Sequence, residues 1–235
     1  MPPDLPLPTP RAITLDLDDT LWPVRPVIRR AEAALRAWLA RHAPATAARW
    51  DAAGLAALRA EVERAHPQWA HDLGALRRAT LQRAVAAAGE SAALADAAYE
   101  VFLAERQRVE FYPDALDALR RLAARFPLLS LSNGNADLRR VGVADWFVGA
   151  LSASDAGHAK PDPRIYAEAC RRLGRAPAEV LHVGDDLDAD VRGAQDAGLD
   201  AVWLCRPEHG HPAAPGGRHA RVVADLAELA RRLGC

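Results

Sequence analysis

The sequence predicts an α/β protein in which a doubly wound parallel sheet is interrupted by an inserted all-α four-helix bundle. Two observations lead to this prediction. Short apolar runs alternate with helical segments after residue 110, as expected for a parallel sheet covered by helices on both faces. Before that point, one strand at residues 11–17 is followed by a long stretch with only helical periodicity. We therefore predict a core domain of residues 11–22 and 110–235 and a helical domain of residues 23–109.

The first half of the chain contains the leader, one strand and the bundle. Residues 1–10, MPPDLPLPTP, hold five prolines, no basic cluster and no apolar run, which predicts a disordered leader. The strand RAITLDL follows and leads directly into the acidic segment DLDDT. Apolar residues then recur every three or four positions in four segments, and the breaks fall at Pro44, Pro67 and Gly89. Four such segments with short connections favour a four-helix bundle.

Beyond Tyr112, hydrophobic periodicity predicts alternating helices and strands. In chain order these are the helix DALDALRRLAARF, the strand PLLSLS, a turn at SNGN, the short helix WFVGALSAS, the helix DPRIYAEACRRLG, the strand VLHVG, the helix DADVRGAQDAG and the strand AVWLC. The first strand belongs to the same sheet by pattern. The bundle is therefore an insertion between that strand and the rest of the core.

Composition argues against several classes of partner. The 30 basic and 31 acidic residues give a net charge of −1, so nothing in the charge balance favours binding to nucleic acid or to an anionic membrane. No apolar stretch is long enough to span a bilayer. The three cysteines are scattered, which fits a reducing compartment better than a disulfide framework. We expect a cytoplasmic protein, a monomer or weak dimer, whose partner is a small molecule.

The segment DLDDT places two carboxylates at the end of a strand. Residues two apart on a strand project to the same side, so Asp16 and Asp18 can face one pocket. Two close carboxylates repel each other unless a cation lies between them, and Mg²⁺ prefers such oxygen ligands. One carboxylate can then attack while the other transfers a proton. An acidic helix cap is the structural alternative.

Three further polar segments follow predicted strands or begin predicted helices. Ser132 and Asn133 open a turn whose hydroxyl and backbone amides suit a phosphate oxygen, although Ser-Asn-Gly is also an ordinary turn. Lys160 precedes a helix and can offset the charge of a transferring phosphoryl group. Asp185, in GDDLDAD, can provide a further metal ligand, and a helix-dipole role is its alternative. Ligands bind beyond the carboxyl ends of parallel strands, so these side chains are expected to converge.

Lys160 is the only lysine in the chain, and every other basic residue is arginine. Chance in a biased composition explains this as well as function does. A functional explanation is a site that accepts a compact ammonium and excludes a planar guanidinium.

Taken in order, DLDDT, SN, the lysine before a proline and GDDLDAD resemble the four motifs of the haloacid dehalogenase-like superfamily. The resemblance extends from Ile13 to about Leu204 and implies a Rossmann-like core with a helical cap. It implies that Asp16 is the nucleophile that forms an aspartyl-phosphate and that Asp18 is the general acid/base. It also implies that Ser132, Asn133 and Lys160 bind the phosphoryl group.

The same resemblance implies a Mg²⁺ site formed by Asp16, the Asp18 carbonyl and Asp185. It leaves the roles of Asp186 and Asp190 open, with supporting roles behind the metal ligands as one interpretation.

The second aspartate of DLDDT discriminates among reactions of the superfamily. The resemblance implies a phosphatase rather than an L-2-haloacid dehalogenase, because dehalogenases of this kind lack the counterpart of Asp18 and protonate no leaving alkoxide. A phosphomutase, a permissive sugar or nucleotide phosphatase and an inactive binding protein are the alternatives.

The chain further resembles bacterial phosphatases of riboflavin biosynthesis in DLDDTLWPVRPVIRRAE, the SNGN turn, HVGDDLDADVRGA and WLCRPE. Those enzymes act on 5-amino-6-(5-phosphoribitylamino)uracil and FMN. Candidates for contacts with the substrate's ring or ribityl chain are Trp22, Trp69, His71, Asp72 and Arg77. The structural alternatives are core packing for each tryptophan and a helix N-cap for Asp72.

Overall fold

A computed structural model of the protein describes residue 7, residues 9–206 and residues 221–235. The predicted leader therefore lies mostly outside the described residues, as do Pro207 and Glu208 of WLCRPE. Within the described ranges, no helix has the length and apolar character needed to cross a membrane. The chain forms two compact units. One comprises residues 1–23, 110–134 and 142–235, and the other comprises residues 24–109 and 135–141.

The α/β unit is built on a parallel sheet. Its described strands are β1 (Ala12–Leu15), β2 (Leu128–Ser132), β3 (Gly149–Ser152), β4 (Val180–Gly184), β5 (Asp200–Leu204) and β6 (Arg221–Val223). The strand order is β3-β2-β1-β4-β5-β6. β1 pairs with β2 on one side and with β4 on the other. The strands β2 and β3 therefore lie on one side of β1, and β4, β5 and β6 lie on the other. Such a switch point opens a crevice at the carboxyl ends of the strands.

Helices make up most of the remaining described structure of both units. In chain order they are α1 (Val24–His42), α2 (Pro44–Arg49), α3 (Ala52–Ala65), α4 (Leu73–Ala87), α5 (Ala93–Arg106), α6 (Ala115–Ala123), α7 (Leu138–Val141), α8 (Ala153–Ala156), α9 (Pro163–Leu173), α10 (Gly193–Asp196) and α11 (Leu226–Arg232). Short 3₁₀ turns span Pro67–Trp69, Ala144–Trp146 and Pro177–Glu179, and a π-helical segment spans Leu187–Arg192.

The helical unit contains four long helices, α1, α3, α4 and α5, and the short helix α2 between α1 and α3. Pro44 begins α2, as proline is tolerated in a first turn, where no intrahelical N–H bond is lost. Asp51 and Asp72 cap α3 and α4 by accepting backbone N–H bonds. The apolar residues predicted from the helical period form the core of this unit, with Leu35 and Phe102 almost fully buried.

Two parts of the secondary structure differ from the prediction. The segment WFVGALSAS, predicted as a helix, contains the strand β3, which pairs with β2 at the edge of the sheet. The Val148 N–H donates to the Leu128 carbonyl, so tertiary pairing overrides a local apolar pattern that two periods can fit. The strand β6 and the helix α11 were not predicted, although Asp225 caps α11 in the usual way.

Candidate active site

The carboxyl ends of β1, β2 and β4 bring the predicted site residues together in the α/β unit. Asp16 follows β1, Ser132 ends β2, and Asp185 follows β4. Lys160 lies just before α9 and reaches the same place, because its ammonium donates to Asp16 Oδ1 at 2.7 Å. The convergence follows from the switch point at β1.

Lys160 lies between two carboxylates. Its Nζ is 2.7 Å from Asp16 Oδ1 and 2.6 Å from Asp190 Oδ1, and only 2% of its side chain is exposed. Burial alone would lower the pKa of Lys160, but the two carboxylates raise it above its usual value. Lys160 therefore remains an ammonium ion.

Asp190 is held from several directions. His182 Nε2 lies 3.0 Å from Asp190 Oδ1, and the Asp186 N–H donates to Oδ2 at 2.9 Å. A carboxylate can only accept, so His182 carries its proton on Nε2, and Nδ1 accepts from the Thr14 hydroxyl at 2.8 Å. With both oxygens engaged, Asp190 serves to hold Lys160 in place.

Glycine at position 184 makes this arrangement possible. A Cβ at Gly184 would lie 2.2 Å from the Asp190 carboxyl carbon, a separation that no side chain could adopt. The π-helical segment beginning at Leu187 then brings Asp190 back against the end of β4. Asp186 caps this segment by accepting the Asp188 and Ala189 N–H bonds, which gives it a structural role.

Asp185 is held through both its side chain and its backbone. The Thr20 hydroxyl donates to Asp185 Oδ1 at 3.3 Å, and the Trp203 indole N–H donates to the Asp185 carbonyl at 2.8 Å. Burial, reinforced by repulsion from Asp190 and Asp19, raises the pKa of Asp185 to about 7.

The acidic cluster has the charge and the donor atoms that suit a divalent cation. One oxygen from each of Asp16, Asp185 and Asp190 lies within 4.8 Å of the others. Burial raises the pKa of Asp16 well above its usual range; Lys160 opposes this shift, whereas the neighbouring carboxylates reinforce it. Three carboxylates facing one ammonium leave two negative charges uncompensated, and Mg²⁺ would offset both. Asp16 and Asp185 fit as its ligands, since the oxygens of Asp190 are engaged elsewhere.

Ser132, the last residue of β2, and Asn133, the first residue after it, make different contacts. Ser132 is buried, and its hydroxyl accepts the Gly134 N–H at 3.0 Å. The Asn133 side chain bonds both the N–H and the carbonyl of Lys160, at 2.8 and 3.0 Å. Asn133 therefore fixes the backbone that carries Lys160, a role that the sequence pattern did not predict.

Asp18, two residues after Asp16, is partly exposed. Its Oδ1 accepts the indole N–H of Trp22 at 2.8 Å. Trp22 is fully buried in the α/β unit, so it is not available to stack on a substrate ring, which was one of its two predicted roles.

The other candidate contact residues lie in the helical unit. Arg77 pairs with Glu32 at 2.7 Å and lies over the Phe102 ring, 3.6 Å from its centroid. Trp69 stacks on His66, and Asp72 is the cap of α4. His71 is half-buried. Arg77, Trp69 and Asp72 therefore each have a structural role within the helical unit.

Sequence reasoning missed His182, Thr20 and Trp203 as parts of the site. His182 left a signal, because it is the one polar side chain in the apolar strand VLHVG. The sequence gives no such signal for Thr20 and Trp203, because a threonine after an acidic turn and a tryptophan in a strand are both common.

A family model described as haloacid dehalogenase-like hydrolase matches residues 10–198. The chain is a haloacid dehalogenase-like hydrolase. It is 37% identical over 203 residues to the 5-amino-6-(5-phospho-D-ribitylamino)uracil phosphatase of Escherichia coli, which covers 85% of this chain and 84% of that protein. It is 36% identical over 188 residues to a phosphoserine phosphatase of Thermus thermophilus, covering 77% and 70% of the two chains.

A solved structure described as a 2-haloacid dehalogenase from Pseudomonas syringae superposes with a TM-score of 0.88 at 39% identity, covering 95% of this chain and 98% of that one. The family and the α/β fold expected from the sequence are thus confirmed. Both of these curated relatives are phosphatases, and they support phosphatase activity for this enzyme.

Proposed function

We propose that this hydrolase is a Mg²⁺-dependent phosphomonoesterase in which Asp16 attacks phosphorus and Asp18 transfers protons. The observation that carries the proposal is the different environment of two carboxylates only two residues apart. Asp16 is buried against the Lys160 ammonium, whereas Asp18 is partly exposed and accepts a neutral indole N–H. An ion-paired carboxylate suits nucleophilic attack, and one with access to solvent suits proton exchange.

The nucleophile is held by one oxygen. Lys160 donates to Asp16 Oδ1, which leaves Oδ2 to form the bond to phosphorus. The bond to the leaving oxygen breaks as this bond forms, and Asp18 in its acid form gives its proton to the departing alkoxide. The products of this step are an alcohol and an aspartyl-phosphate.

Hydrolysis of the intermediate reverses these roles. Asp18, now ionised, accepts a proton from water as the water oxygen attacks phosphorus. The acyl-phosphate bond breaks, phosphate leaves, and the Asp16 carboxylate is restored with Asp18 again in its acid form. Bound at Asp16, Asp185 and the Asp18 carbonyl, Mg²⁺ would neutralise part of the charge on the phosphoryl oxygens.

The phosphoryl group also needs donors from the protein. We assign this role to the Ser132 hydroxyl, the Asn133 backbone N–H and the Lys160 ammonium. The Asn133 side chain supports the assignment, because its two bonds to the Lys160 backbone keep the two segments together.

A dehalogenase is the competing activity, since several similar structures and relatives carry that name. Displacement of a halide needs no proton donor, because halide ions are weak bases and leave unprotonated. Asp18, held by Trp22 at the end of the same turn as the nucleophile, favours a reaction that releases an alkoxide.

For the substrate we propose 5-amino-6-(5-phosphoribitylamino)uracil, FMN or both, which would place the enzyme in riboflavin biosynthesis. The support is the identity to the E. coli phosphatase over most of both chains. The comparable identity to a phosphoserine phosphatase makes a permissive small-molecule phosphatase the alternative. We further propose that residues 23–109 act as a cap domain and that the enzyme is cytoplasmic.

The proposal is tested by phosphate release from p-nitrophenyl phosphate, the pyrimidine intermediate, FMN, phosphoserine and several sugar phosphates. We expect EDTA to abolish turnover and added Mg²⁺ to restore it, because Asp16 and Asp185 leave negative charge uncompensated without a cation. We expect the highest kcat/KM for the pyrimidine or FMN. Full activity after thorough chelation would contradict the metal site, and halide release from 2-chloropropionate exceeding phosphate release would contradict the reaction class.

A further inference from the structure

The turn that follows the nucleophile folds back so that Trp22 meets Asp18. Asp18 and Trp22 form an isolated β-bridge, and the Asp19 N–H donates to the Trp22 carbonyl at 2.8 Å. Asp19 has a left-handed backbone, with φ of 57°, which closes the turn at a conformation that aspartate tolerates better than most residues. The indole therefore reaches a carboxyl only four residues earlier in the chain.

Trp22 cannot easily move away from this position. Its side chain is fully buried, and its ring meets Phe111 edge-on with centroids 5.6 Å apart. The Tyr112 N–H donates to the Leu21 carbonyl at 3.0 Å, which ties the turn to the segment leading into α6. The indole that donates to Asp18 is thus fixed by packing on the ring and by backbone hydrogen bonds of Leu21 and Trp22.

An indole N–H can donate a hydrogen bond and cannot accept one. Asp18 Oδ1 must therefore act as an acceptor towards Trp22, whether the carboxyl is ionised or protonated. In the acid form, a carboxyl accepts more strongly through its carbonyl oxygen than through its hydroxyl oxygen, so the bond from Trp22 to Oδ1 favours the proton on Oδ2. The hydrogen bond therefore biases which of the two oxygens carries the transferable proton.

We infer that Trp22 is a positioning residue for proton transfer, holding Asp18 so that Oδ2 delivers and recovers the proton. The inference rests on the proposed role of Asp18 as general acid/base and adds the group that orients it. Without the indole N–H, the carboxyl loses this donor and with it the preference for a proton on Oδ2. Misplacement of a reacting group by a fraction of a bond length is costly for the rate.

Trp203 provides a matched comparison. It is also a buried tryptophan of the α/β unit, and its indole N–H also donates at 2.8 Å, but to the backbone carbonyl of Asp185. Loss of that bond should disturb the Asp185 backbone and so the binding of Mg²⁺. It should not act selectively on the leaving group.

The test compares Trp22→Phe with Trp203→Phe on two substrates. Departure of p-nitrophenolate from p-nitrophenyl phosphate needs little protonation, whereas an alkyl phosphate such as FMN requires it. We expect Trp22→Phe to lower kcat for the alkyl ester at least ~10-fold more than for the aryl ester, a fraction of the ~10²–10⁴-fold that proton transfer contributes. Trp203→Phe should lower both equally and raise the Mg²⁺ concentration needed for half-maximal activity.

A variant that keeps the shape of the Trp22 side chain separates the loss of the N–H from a loss of packing. Site-specific replacement of Trp22 by 3-benzothienylalanine exchanges the indole N–H for sulfur with little change in size, and thermal melting checks the fold. Selective loss on the alkyl ester with this replacement supports the inference. Equal losses on both esters, or no loss, overturn it.

The role of Asp18 is tested separately by Asp18→Asn. If Asp18→Asn loses much more activity on the alkyl ester while the Trp22 variants do not, the inference about Trp22 fails and the proposed function stands. If Asp18→Asn shows no difference between the esters, the assignment of Asp18 fails, and the inference about Trp22 fails with it.

Discussion

The ion cluster at Lys160 in the α/β unit is far more buried than two ion pairs of the helical unit. Around Lys160 in the α/β unit, an ammonium and two carboxylates have at most 10% of their side chains exposed. In the helical unit, the pair Arg77–Glu32 is 16% and 30% exposed, and Arg59–Glu63 is 27% and 45% exposed. Taking charges out of water costs several kcal/mol per ion, so a buried ion cluster is weak evidence for stability. We therefore propose that the Lys160 cluster serves the chemistry and that the two pairs in the helical unit serve folding.

The largest effect is expected at the nucleophile. Asp16→Asn keeps the size of the side chain and removes the negative oxygen that attacks phosphorus. We expect a loss of at least ~10⁴-fold in kcat, as is typical when a group that acts covalently is removed. Phosphate release under single-turnover conditions measures this. Substantial remaining activity would show that the reaction does not proceed through an aspartyl-phosphate.

Asp16→Asn should not lower the stability of the fold, although it should abolish most of the activity. Asp16 is a buried carboxyl whose ionisation burial disfavours, so Asp16→Asn should leave the melting temperature close to that of the wild type or raise it. A large drop in melting temperature would mean that the cluster also holds the α/β unit together, and the contrast between the two units would weaken.

The next largest loss of activity is expected for Lys160→Arg. The guanidinium keeps the charge but presents it on a rigid plane, and the gap between Asp16 Oδ1 and Asp190 Oδ1 holds a compact ammonium with contacts of 2.7 and 2.6 Å. We expect at least ~10²-fold loss of kcat/KM, equivalent to ~2.7 kcal/mol of transition-state stabilisation. Lys160→Met should cost as much or more, since Asp16 then has no cationic partner. Near-normal kinetics for Lys160→Arg would mean that the only lysine of the chain is an accident of composition.

The fold was predictable where the pattern is local. The alternation of apolar runs and helical segments predicted the parallel sheet. It also placed Asp16, Ser132 and Asp185 at the carboxyl ends of strands, where the structure has them. The strand β3 was not predictable, since Gly149–Ser152 becomes extended only by pairing with β2, more than fifteen residues earlier in the chain.

The site was predictable only as a set of residues. Nothing in the spacing of GDDLDAD reveals that Asp190 turns back onto Lys160, because that depends on a π-helical segment and on the missing side chain of Gly184. Core packing and stacking on a substrate were both open for Trp22, and the structure agrees with core packing. The sequence near Trp22 carries no local signal for the direction of its N–H. These contacts arise from tertiary packing and become visible only in the structure.

The smallest effect is expected for Arg77 in the helical unit, and it tests the other side of the comparison. Arg77→Met removes the ion pair with Glu32 and the contact with the Phe102 ring but keeps most of the apolar stem. A cation over an aromatic ring and a partly exposed ion pair together contribute about 1–2 kcal/mol, so the melting temperature should fall by ~2–8 °C. The matched control is Arg59→Met. The pair of Arg59 with Glu63 is more exposed and joins residues four apart on one helix, so we expect the free energy of unfolding to change by less than ~0.5 kcal/mol.

Activity should be insensitive to Arg77→Met. Because the contacts of Arg77 are internal to the helical unit, kcat/KM for FMN and for p-nitrophenyl phosphate should stay within about twofold of the wild type, a change of less than ~0.5 kcal/mol in transition-state stabilisation. A selective loss on FMN with an unchanged melting temperature would restore Arg77 as a candidate substrate contact and would show that ion pairs of the helical unit also take part in recognition.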